Sequence, residues 1–131
     1  MTGGRLALSQ AVIEKWDAVF RACSAEPRRQ LIVSLLDAAP EEAVSLPDHA
    51  MSPTVPQDFD SLRVDLRHSH LPLLERQGFV EWQTDPFEAT RGPRFDHVGV
   101  VFEALHRNAD AFPEALVAGC QRLEIERECG Q

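Results

Sequence analysis

The residues with the most to offer chemically cluster between positions 61 and 68. On a helix turning about 100° per residue, Leu62, Leu66, Ser69, His70, Leu73 and Leu74 share one arc, leaving Arg63, Val64, Arg67 and His68 on the outer faces. That outer set has the chemistry a major groove asks for: arginine forks onto guanine O6 and N7, and a small apolar group touches a thymine methyl. Ser61, at the helix start, is placed to donate to a phosphate. A solvated helix face carrying two arginines is the competing reading. Arg91 and Arg94 flank a turn-rich segment and would reach a minor groove or the backbone, although Asp85 and Glu88 share that tip. Arg28 and Arg29 are read as phosphate contacts or surface charges rather than base readers.

Other chemistries find less support. His68 and His70 form an H-x-H pair, but residues two apart on a helix point roughly 200° from each other, so one ion cannot take both without distortion. His70 is expected near the core and His68 outside; His49, His97 and His106 are isolated in sequence. Cys23, Cys120 and Cys129 are odd in number and lack CxxC spacing, so they read as reduced thiols rather than a disulfide framework or zinc knot. No metal site and no cofactor is expected. No local signature sets a serine or cysteine beside a base and an orienting acid, and Gly3-Gly4 is not a phosphate loop. The chain is therefore not expected to be an enzyme.

The elements that must position the outer set are legible from periodicity. Ser9 reads as the N-cap of a first helix with Val12, Ile13, Trp16, Val19, Phe20 and Cys23 on its apolar face. Pro27 sits in the first turn of a second helix buried through Leu31, Ile32, Leu35 and Leu36, which Ala39-Pro40 stops. Ser45-Leu46-Pro47-Asp48 has the form of a capping box before a short third helix. A fourth helix runs from about Asp60, interrupted or kinked at Pro72, to Gly78 as its C-terminal cap. Phe79–Gln83 and Arg94–Val98 then read as the strands of a hairpin with a long tip. Helix follows from Val98 to Leu123, divided at Pro113. The fold class is mainly α with a small β-hairpin (α+β), in the element order of a winged helix-turn-helix with an additional C-terminal helix. Residues 1–131 form a single domain, with a winged-helix core over 9–97 and a C-terminal helical extension over 98–128 as candidate dimer interface.

The stretch from Leu62 to Trp82, with His70-Leu71, Leu73-Leu74 and Gly78-Phe79-Val80 at their spacings, resembles the recognition-helix-to-wing segment of ArsR-type winged-helix regulators. Ser24-Ala25-Glu26-Pro27-Arg28-Arg29-Gln30-Leu31 is similar to the start of the second helix in the same regulators. The whole also resembles small winged-helix domains of unknown function from halophilic archaea, in which a His-x-His-Leu-Pro segment precedes the wing. The resemblance covers residues 9–98 and implies a dimeric DNA-binding transcriptional regulator. Two departures stand out: the connection from Ser52 to Phe59 is longer than the turn of a standard helix-turn-helix, and the same connection carries acids beside the DNA face that would repel phosphate at low salt.

Composition bounds the partners. The net charge is -8, and 12 of the 13 basic residues are arginine. Residues 37–60 carry six acids and no base, whereas 61–82 balance at zero, so the acidity is concentrated in one connecting stretch and the C-terminal end. An acidic protein is a poor polyanion ligand in ordinary buffer. At about 1 M salt the Debye length is only about 3 Å, so local charge then counts for more than the total. A lysine-poor acidic surface fits a halophilic cytoplasm as well as a GC-rich genome. No run reaches the ~20 apolar residues of a membrane span and no signal core follows the N-terminus, so a cytoplasmic protein with no membrane partner is expected. The expected partners are double-stranded DNA and a second copy. The alternative is a winged-helix module that binds a protein and no DNA, through Val64, Leu71 and Phe87.

Overall fold

The computed structural model describes residues 2–117 and 120–129, as helices and a small three-stranded antiparallel sheet. Helix α1 (Thr2–Cys23) starts well before Ser9, which lies inside it. Arg5-Leu6-Ala7-Leu8 is made of strong helix formers, so nothing forces a start at the serine. α1 meets the rest of the protein through Ala18, Val19 and Ala22, small residues that allow close approach to α2 (Glu26–Asp37) and α5 (Phe95–Arg107). The larger apolar residues expected in the core are turned away from it: Val12 is 50%, Ile13 58%, Trp16 49% and Phe20 63% exposed. α2 follows its expected course, with Pro27 in the first turn and Leu31, Ile32 and Leu35 buried.

The expected third helix shrinks to one 3-10 turn, Asp48–Ala50. Ser45 belongs instead to strand β1 (Val44–Ser45), whose residues pair with Ala89 and Glu88. That pairing holds Ser45 extended, and no capping box forms; His49 Nδ1 instead donates to the Ser45 carbonyl at 2.9 Å.

The fourth helix of the sequence reading is composite: α3 (Phe59–Asp65), a π turn (Leu66–His70) and α4 (Leu71–Arg76). Pro72 has no N–H and its ring crowds the carbonyl one turn back, and the backbone widens just before it. The Leu71 N–H bonds to Leu66 O across the wide turn. The widening also resets the phase. In an unbroken α-helix Leu71 would stand about 140° from Leu66, but the extra residue brings it back, and Leu62, Leu66, Leu71 and Leu74 are all buried. Ser69, expected on the inner arc, is exposed. The helix ends as Gly78 predicts. Gly78 has φ 79°, its N–H bonds to Glu75 O, and the Phe79 N–H bonds to Leu74 O, the paired closure that a left-handed glycine allows.

Strands β2 (Val80–Thr84) and β3 (Phe87–Arg91) pair antiparallel from Val80↔Arg91 to Thr84↔Phe87, so only Asp85-Pro86 forms the tip. β3 is the central strand, between β1 and β2. The second strand is thus 87–91 and not 94–98, because Phe87 and Ala89 alternate into the core. Residues 95–98 already belong to α5, whose Phe95, Val98 and Phe102 join the same core cluster as α1, α2 and the sheet. The helix from Phe95 is therefore part of the core rather than an extension. Beyond it come a 3-10 turn (Ala109–Ala111), α6 (Glu114–Val117) and α7 (Gln121–Cys129). Arg127 ties these together, donating to Glu114 Oε2 at 2.8 Å, Ala109 O at 3.0 Å and Phe112 O at 2.6 Å. Leu116 and Cys120 are exposed, and the Cys129 side chain lies outside the described residues. Among the described residues no helix is long and apolar enough to cross a membrane.

Candidate nucleic-acid interface

With Leu62, Leu66, Leu71 and Leu74 in the core, the rotation of the composite helix is fixed, and Ser61, Arg63, Val64, Arg67 and His68 are all exposed. The π turn contains both Arg67 and His68, so the two side chains sit on the least regular part of the helix. Arg63 leans toward the sheet, its guanidinium 5.2 Å from the centre of the Phe87 ring. A cation on an aromatic face is held there by about 0.5–1 kcal/mol at an exposed site, which preorganises the side chain without neutralising it. Ser61 is already committed: its hydroxyl donates to Asp58 Oδ2 at 2.7 Å, while Asp58 Oδ1 accepts from the Asp60 N–H at 3.3 Å. Asp58 is thus the cap of the helix, and its carboxylate stands where the expected phosphate anchor would work. Asp60 and Asp65 add two more acids to the same helix.

The hairpin cations lie elsewhere than expected. Arg91 is at the base of β3, opposite Val80, and its guanidinium donates to the carbonyls of Leu35 at 2.9 Å, Ala38 at 3.1 Å and Leu36 at 3.4 Å. It also stacks 4.9 Å from the Phe95 ring centre. It therefore closes the C-terminus of α2, where orphan carbonyls and the negative end of the helix dipole want a cation. Arg94 precedes α5, its N–H donating to Gly78 O at 2.8 Å and its side chain lying over Gly78. Neither is at the tip, whose nearest charges are Asp85 and Glu88, the latter accepting from Gln83 at 2.9 Å.

Arg28 and Arg29 are also drawn inward. Arg28 is buried and donates to Ala22 O at 3.2 Å, Arg21 O at 2.9 Å, Ser24 Oγ at 2.7 Å and His70 Nδ1 at 2.9 Å. Arg29 donates to Cys23 O at 2.6 Å and pairs with Glu26 at 3.1 Å. Together they cap the C-terminus of α1, and Arg28 fastens that junction to the π turn. Since arginine only donates, Nδ1 must be the bare nitrogen of a neutral His70 ring. Burial, reinforced by the Arg28 cation and opposed by Asp65, holds the His70 pKa below its ordinary value. Burial likewise pushes the Cys23 thiol up, against the pull of Arg29 and Arg28. No sequence signal marks this cluster: Arg28 and Arg29 lie inside α2, five and six residues past the end of α1, and only the turn of the chain between the two helices brings them back to its carbonyls.

Periodicity did not reveal a groove of about 830 Å³ between α2, the loop over residues 51–57 and the C-terminal helices, lined in part by Arg29, Asp37, Val55, His106 and Ile125. Among the described residues no three of His, Cys, Asp or Glu are grouped to hold a metal ion. No family model matches this sequence, and no curated protein or solved structure matches it.

Proposed function

We propose that the chain is a cytoplasmic, non-enzymatic winged-helix protein that binds double-stranded DNA as a transcriptional regulator, with the composite helix 59–76 in the major groove. The observation that carries this is the exposed row Arg63, Val64, Arg67 and His68 on a helix whose opposite face is locked into the core. A rigidly held helix presenting two arginines and a small apolar side chain suits direct readout. The contact is made by the helix alone. The hairpin tip is acidic, and Arg91 is spent on α2, so the hairpin supplies shape rather than phosphate contacts. Three aspartates around the helix start and middle make the binding weak in dilute buffer and dependent on local charge in concentrated salt.

The test is selection from a random DNA library in low and in multimolar KCl. Enrichment of a motif that the Arg63→Ala, Arg67→Ala double variant loses supports the reading; each arginine that makes a bidentate base contact should be worth about 1–3 kcal/mol of discrimination. No enrichment at either salt from folded protein overturns it.

A second reading, a module that binds protein and no DNA, is favoured by the exposed apolar stripe on α1. It does not work through the surface first expected, because Leu71 is fully buried and Phe87 is only 8% exposed, leaving Val64 alone.

A further inference from the structure

The largest surface the fold leaves unexplained is on α1. At about 100° per residue, the buried Ala18, Val19 and Ala22 centre on one side, and Leu6, Ser9, Ile13, Trp16 and Phe20 centre roughly 150° away. Positions 6, 9, 13, 16, 20 and 23 alternate three- and four-residue steps, the seam spacing of a two-helix coiled coil. Residues 4–10 are exposed throughout, and a Cβ added at Gly4 would meet nothing within 4 Å. A helical arm that short, with no neighbour, is marginal in water. Leu6, Val12, Ile13, Trp16 and Phe20 are each about half or more exposed and present roughly 600 Å² together, large for a monomer and close to one partner's share of a standard interface once a polar rim is added.

We propose that α1 pairs antiparallel with α1 of a second copy about a two-fold axis, and that this is the dimer interface of the protein. The occupant is argued from self-complementarity. Antiparallel seams set each first-position residue against a second-position residue of the partner. That register places Ile13 on the partner's Trp16, Ser9 on the partner's Phe20, and Leu6 on the partner's Cys23, so small faces large at two of three layers. A parallel pair would instead stack tryptophan on tryptophan and serine on serine, crowding one layer and emptying another. Along one flank Gln10 stands across from the partner's Asp17, an amide donor against a carboxylate, and the two-fold axis repeats the pair. This deepens the regulator reading by naming its dimer partner, yet it rests on α1 alone and survives a failure to bind DNA. Of the stretch 98–128, expected from sequence as the interface, Val98 and Phe102 are used within one chain, while Val100, Leu105, Leu116 and Ile125 stay exposed.

Sedimentation equilibrium should give twice the chain mass for the wild type and a single-chain mass for Ile13→Glu, with helical circular dichroism retained because Ile13 is exposed in the lone chain. Trp16→Ser provides a second route to the same outcome. For register, Leu6→Cys in a Cys120→Ser, Cys129→Ser background treated with diamide should give a covalent dimer that the same protein with Cys23→Ser does not. A monomeric wild type at high concentration, a dimer indifferent to both seam variants, or a cross-link that persists without Cys23 would each overturn the proposal. DNA selection on the same samples separates its failure from failure of the regulator reading.

Discussion

Acidification should loosen this fold through one identifiable ring. The neutral His70 imidazole accepts from buried Arg28, and burial first, with the Arg28 cation second, keeps it from taking a proton. An unfolded histidine titrates near about 6.5. Below that pH the unfolded chain binds a proton the folded chain refuses, so the contribution is complete above the unfolded value and is lost as pH falls past it. The ceiling is about 1.4 kcal/mol per pH unit. Partial access of water to His70 keeps the loss below this ceiling, and it sets in as pH falls through the unfolded value. Carboxylates titrate in the same range, so the readout is a difference between urea unfolding curves of the wild type and His70→Gln, whose amide oxygen still accepts from Arg28. The wild type should lose more stability on acidification than the variant, by less than about 1.4 kcal/mol per pH unit. Equal losses would refute the reasoning, as would a larger loss in the variant. Arg28→Met separates the causes: with the cation gone and burial retained, the acid sensitivity should shrink without vanishing.

Four substitutions probe the frame around the candidate interface. At Gly92 an added Cβ would lie 2.5 Å from the Gly78 carbonyl oxygen and 2.8 Å from Val80 N, both backbone, so Gly92→Ala should cost about 3 kcal/mol or more in urea unfolding; a cost within about 0.5 kcal/mol would mean the hairpin base is looser than described. Arg91→Leu should cost about 2–3 kcal/mol by leaving the carbonyls of Leu35, Leu36 and Ala38 without this donor, while leaving DNA selection unchanged; normal stability with weakened DNA binding would return Arg91 to the nucleic-acid face. Leu71→Ala should cost about 2–5 kcal/mol and Ser69→Ala less than about 0.5 kcal/mol, the reverse of the order an unbroken helix gives.

Much of the architecture was legible in single residues whose constraints are local. Pro27 marked the start of α2, Gly78 the end of α4, and Phe79 to Gln83 a strand, because a fixed φ, a left-handed φ and a run rich in β-formers act on the backbone wherever they occur. Ser9 and Ser45 misled, since a capping serine is only an option: α1 simply continues through one and β-pairing with Glu88 claims the other. The arginines misled for the same reason. Arg28, Arg29 and Arg91 look like surface charges in one dimension, and only the folded chain shows that helix ends lie beside them.

By itself, then, the sequence determined that an apolar-periodic helix would present Arg63, Val64, Arg67 and His68 outward, because periodicity and side-chain chemistry need no partner to be read. Tertiary structure decided the rest. Small residues let α1 approach the core by Ala18 and Ala22, so its large apolar side chains were left outside. The π turn before Pro72 exchanged Ser69 for Leu71 in the interior. A periodic pattern states which residues want burial; which of them obtain it depends on how closely other elements can approach, and that is fixed only when the whole chain packs.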